Sequence, residues 1–168
     1  PGVRYDGRIP TLKQVVGHDF GDEITSPDLI TVYLKALHAA APDRTRLIEY
    51  ARTWEGRPLS LLIVASAERL ARLDTIKAGL RKLADPRTLS PGEGDRLVKE
   101  LPSVAWLMHA VHGNEISSSD AALLEAYHLV AAQGDPTVDL ILRESIAPRG
   151  RAAARGHRDR DEEARHDR

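Results

Sequence analysis

Three residues apart in the chain, His112 and Glu115 offer an imidazole nitrogen and a carboxylate oxygen, both good donors to zinc. A catalytic zinc ion commonly takes three protein ligands and keeps a fourth position for water, so this pair would supply two of the three. His109 stretches the pattern to His-x-x-His-x-x-Glu. A histidine near a strand end is more often held by a hydrogen bond within the packing than given to a metal, and His109 is read that way. His128 falls more than two helical turns beyond Glu115, out of reach of such a site. On its own His-x-x-Glu is a weak signal, because two common polar residues recur at that spacing by chance.

The elements on either side sharpen it. Val104 to Val111 is an apolar run that reads as a strand buried on both faces. Ile116 to Ala132 is apolar at helical spacing, and its opening residues, Ser117-Ser-Ser-Asp120, are good N-cap types. The pair therefore belongs to a strand-to-helix junction, where α/β sheets usually place their ligands.

The stretch His112-Gly-Asn-Glu115 resembles the first zinc-binding motif of the zinc carboxypeptidase family, in the form carried by its bacterial members. Upstream, Trp54-Glu-Gly-Arg-Pro58 followed by the strand Leu59 to Ala65 is similar to the family's early hairpin, and the resemblance extends from Ile9 to Ile146. It implies Zn2+ held by two histidines and a glutamate, a separate glutamate as general base, and a peptide or protein substrate whose C-terminal carboxylate is gripped by arginine. His112 and Glu115 match the first two ligand positions. Asn114 stands where many digestive members carry arginine, so it is at most a substrate contact. The distal ligand and the base are expected in a part of the family domain that this chain lacks, which makes the chain incomplete and inactive. Secretion or a periplasmic location is implied for the parent protein, although no signal peptide is legible here.

Two other readings share these residues. A zinc deacylase of the succinylglutamate desuccinylase and aspartoacylase type also uses His-Gly-Asn-Glu, and the Trp54 to Pro58 hairpin argues against it. A non-enzymatic binding module that kept the α/β half-domain is the second.

The rest of the chain is read as support. Residues 1–24 form an extended lead-in with a short helix around Thr11 to Val16, and His18 lies there in a solvated loop. Ser26 and Pro27 open an amphipathic helix through Leu37, with His38 in a structural role in its last turn. Arg46 to Thr53 and Leu59 to Ala65 make a β-hairpin, with Trp54 packed on a neighbouring layer. Ala67 to Leu83 is one amphipathic helix, Ser90 to Glu100 a shorter one, and Thr137 to Glu144 another.

With 168 residues, 42% of them apolar, the chain suits one domain. A net charge of −1 gives no reason to expect nucleic acid, and no apolar run is long enough to span a membrane. Cysteine is absent, which excludes disulfides and thiolate ligands. The expected fold is an α/β three-layer sandwich, a mixed β-sheet with helices on both faces, carried by residues 25–146.

A strand should begin at Ser145-Ile146, yet residues 147–168 contain no Val, Ile, Leu, Met or aromatic residue. Seven arginines stand there against five acidic residues, a mixed charge that fits a disordered Arg/Ala-rich tail better than a nucleic-acid arm. A reading frame lost after Ile146 would produce such a stretch. His157 and His166 could reach back as ligands, although a flexible segment provides no rigid support for them. A domain cut at Ile146 would leave a sheet edge unpaired and prone to self-association.

Overall fold

The computed structural model describes residues 2–109, 112 and 114–151, and of 148–151 only the backbone. In chain order the elements are β1 (Arg4–Tyr5), α1 (Leu12–Val16), α2 (Pro27–Ala40), β2 (Thr45–Arg52), β3 (Pro58–Val64), α3 (Ala67–Ala71), α4 (Leu73–Ala84), a 3-10 turn (Pro86–Thr88), α5 (Glu93–Glu100), β4 (Ser103–Val104), β5 (Leu107–His109), α6 (Ile116–Ala131), β6 (Ala132–Gln133), α7 (Pro136–Glu144) and β7 (Ser145–Arg151).

Strand β3 shows why the molecule is layered. Alternate residues of a strand face opposite sides. Leu62 and Val64 enter a core shared with Tyr33 and Leu37 of α2, Leu123 and Val130 of α6 and Val138 of α7. Ile63, and Ala65 just beyond the strand, enter a second core with Leu70 of α3 and Ile76 of α4. β7 divides in the same way, Ile146 to the second core and Ala147 to the first. The expected sheet with helices on both faces is therefore present.

The main sheet has five strands in the order β2-β3-β7-β4, with β5 also on β7. β2 and β3 are antiparallel from Thr45↔Val64 to Arg52↔Pro58, with a register shift between Glu49 and Ala51. Their turn is closed by Gly56 N–H donating to the Thr53 carbonyl at 2.9 Å, with Gly56 at φ +77°. Only glycine adopts that conformation without strain. Trp54, expected to pack on a layer, stands fully exposed at this turn.

β7 is antiparallel to β3 (Val64↔Ala147) and parallel to β4 (Ser103↔Ser145) and β5 (His109↔Arg151), so the sheet is mixed. The strand expected to fail at Ile146 thus continues to Arg151, because backbone pairing on both of its sides compensates for side chains with little to bury. Residues 152–168, with His157 and His166, lie outside the described residues.

Three further expectations change. Residues 1–24 are more than a lead-in: Ile9 and Leu12 are buried in the first core, and β1 pairs with β6. Here α1 is capped by Thr11 and Gln14 in a reciprocal capping box. The helix expected over Ala67 to Leu83 is broken at Arg72 into α3 and α4. The strand expected to be buried on both faces is instead two short segments at the sheet edge, and Val104, Trp106 and Met108 are 44%, 54% and 62% exposed. Among the described residues no strand pairs with its outer side. No described helix is long and apolar enough to cross a membrane.

Candidate metal centre

β5 ends at His109 and α6 begins at Ile116, so His112 and Glu115 occupy the connection between them. Glu115 is the residue capping α6, and its side chain makes no capping hydrogen bond. Ser117 to Ser119, expected as caps, lie inside the first helical turn instead. The Glu115 carboxylate is therefore free of the helix and meets His112: Nδ1 and Oε1 are 2.9 Å apart. An ionised carboxylate only accepts, so the His112 Nδ1–H donates and Nε2 keeps its lone pair in the neutral ring. A backbone hydrogen bond from Glu115 N–H to the His112 carbonyl, 3.1 Å, holds the turn that brings them together.

The hydrogen bond from His112 holds the Glu115 carboxyl below its ordinary value, with a smaller contribution from their charge attraction and partial desolvation acting against both. Both side chains remain more than half exposed. Donors at 2.0–2.2 Å from a tetrahedral zinc ion stand about 3.4 Å apart. The observed pair needs a small opening and transfer of the His112 proton from Nδ1 to accept one, and its atoms are the types that zinc prefers. Asn114 is exposed beside it.

The other histidines go elsewhere. His109 Nε2 faces Glu125 Oε2 of α6 at 3.8 Å. His128 Nδ1 lies 2.9 Å from the Tyr5 hydroxyl, and its Nε2 faces Asp135 at 3.6 Å. His38 bonds Thr45, a structural role as expected. His18, read as solvated, is buried, because the loop that carries it folds inward with Phe20 against Tyr33 and Tyr127. Among the described residues no three His, Cys, Asp or Glu side chains converge on a metal position.

One residue of interest was passed over. Asp120, taken as a cap, is buried on the same stripe of α6 as Leu123 and Val130. Its spacing of three from Leu123 and ten from Val130, which places all three on one helical face, is the signal for it.

A sequence profile described as zinc carboxypeptidase matches residues 30–146. The chain belongs to the zinc carboxypeptidase family. His112 and Glu115 both fall within the matched residues, and the family match stops at Ile146, in the middle of the sheet. Among solved structures, carboxypeptidase A from Helicoverpa armigera is similar with a TM-score of 0.55 at 17% identity. The alignment covers 83% of this chain and 26% of that one, so this zinc carboxypeptidase family chain spans about a quarter of its structural relative. At that identity the likeness concerns the fold. No curated protein matches the chain.

Proposed function

We propose that His112 and Glu115 are two protein ligands of a Zn2+ centre of the carboxypeptidase type, whose reaction is hydrolysis of the C-terminal residue from a peptide or protein, and that this chain alone is inactive. One observation carries the reading: within the family-matched residues, the two donors stand 2.9 Å apart on an exposed connection. Bound zinc would polarise a water and the scissile carbonyl. His112 and Glu115 would hold the ion, and Asn114 would contact substrate. The hydrogen bond between them keeps Glu115 ionised, the state in which it binds a cation. Inactivity follows from the ligand count. With no third donor joining the pair among the described residues, zinc would be held weakly.

The test is a zinc titration competed against a chromophoric chelator, run beside an assay of C-terminal residue release from peptides. Weak zinc binding that disappears in Glu115→Ala and in His112→Ala, without hydrolysis, is the expected result. Unchanged zinc affinity in both variants would remove the ligand assignment. Hydrolysis that depends on Glu115 would overturn the claim of inactivity and leave the ligand assignment standing.

A further inference from the structure

A cavity of about 410 Å³ opens between residues 20–24 and the first two turns of α6. Phe20, Ile24, Ile116 and Leu124 form apolar walls, and among the described residues the charged ones lining it are Asp22, Glu23 and Asp120. Asp22 and Glu23 are exposed, which places negative charge at the mouth. Asp120 differs from them. It is 9% exposed, and its Oδ1 is buried with no hydrogen-bond partner. A buried carboxylate oxygen without a partner is costly, and native structures rarely leave one so. Its missing partner is a donor, and a cationic one gives the strongest bond.

The arrangement also says which cation. The acidic groups do not converge as metal ligands do among the described residues. One buried carboxylate among apolar walls suits a single charged head on a hydrocarbon stem. We propose that this cavity binds an organic monocation, an ammonium or guanidinium group carried on a short aliphatic chain, with the head on Asp120 and the stem against Phe20 and Leu124. The source is a free alkylamine or the basic side chain of a peptide. Neither requires zinc at Glu115, so the inference stands apart from the metal centre.

The test is calorimetry on the whole chain in the presence of a chelator, with n-butylamine, n-butylguanidine, n-butanol and a terminally blocked Ala-Arg-Ala peptide as probes. The two cations should bind about tenfold or more tightly than n-butanol, the difference a charged hydrogen bond supports. Asp120→Asn should erase that preference, while Glu68→Gln, exposed on α3 and outside the cavity lining, keeps it. Asp120 makes no hydrogen bond through Oδ1, so the Asn variant should melt no lower than the parent chain. Chemical-shift changes at Phe20 and Leu124 in the unmodified protein locate the site without any variant. Equal binding of n-butanol and n-butylamine, or a preference retained in Asp120→Asn, would overturn the proposal. Binding of the peptide as well as n-butylguanidine makes a peptide side chain the source, and binding of the small cations alone makes it a free amine.

Discussion

His38 Nδ1 lies 2.9 Å from Thr45 Oγ1, and that hydroxyl lies 2.7 Å from the Ala41 carbonyl oxygen. The hydroxyl proton goes to Ala41, so the imidazole Nδ1–H donates to Thr45. This relay ties the end of α2 to the start of β2, and Thr45 is fully buried. Thr45→Val keeps the shape and strands both partners, at a cost of about 1–3 kcal/mol. Chemical denaturation should show a lower midpoint with an unchanged slope. An unchanged midpoint would mean that the relay does not hold these elements together.

Leu12 is fully buried in the first core although it belongs to the segment that reads as a lead-in. Leu12→Ala should therefore cost about 2–5 kcal/mol, the range for emptying a core leucine site. A loss near zero would return residues 1–24 to the status of a loose extension.

Glu93 begins α5 and reaches back to α4. Its carboxylate accepts from Lys82 Nζ at 2.7 Å and from Ser90 N–H and Oγ–H at 3.2 and 3.0 Å. These bonds, that from Lys82 foremost, lower its pKa from 4.5 to about 2. A depressed carboxyl stabilises the fold above its unfolded value and loses that contribution as pH falls through the folded one. Melting temperatures of the parent chain and Glu93→Gln should differ above pH 4.5 and converge as pH falls towards 2. A difference that persists at the acid end would point to the amide itself rather than the charge.

The edge formed by β4 and β5 carries Val104, Trp106 and Met108 exposed at alternate positions. Open strand edges with apolar residues pair with other copies. Self-association through this edge is proposed, and sedimentation velocity should show it growing with concentration. Trp106→Lys together with Met108→Lys should abolish it, since lysine on an edge opposes pairing. Association untouched by the double variant would place the contact elsewhere.

Much of this was legible because local signals and tertiary packing agree. Ser26 with Pro27, Thr11 with Gln14 and Asp135 with Pro136 each mark a helix start where one occurs. The Gly56 turn and the alternation of Leu62 and Ile63 gave the hairpin and its two-sided burial. His112 and Glu115 were readable as a pair because three residues of loop suffice to bring them together. What the sequence could not show depends on distant partners. An apolar run such as Val104 to Met108 looks the same at a sheet centre and at an edge. His18 looks solvated by residue type, and only the packing of its loop against α2 and α6 through Phe20 buries it. β7 contains Pro148, Arg149 and Gly150, poor strand residues on which propensity says nothing useful, while pairing on both sides fixes them.

The position of β7 also has a kinetic meaning. It is the last described strand to emerge in synthesis, yet it joins the β2–β3 hairpin to β4 and β5. Until Ser145 to Arg151 is available, β3 has one open edge and the two cores share no completed floor. Early local structure is confined to the hairpin and the helices, and the decisive contacts span most of the chain. Such long-range closure is slow and leaves apolar surface exposed meanwhile. A nascent chain paused before Ser145 is therefore the state in which aggregation and chaperone capture compete most strongly with folding.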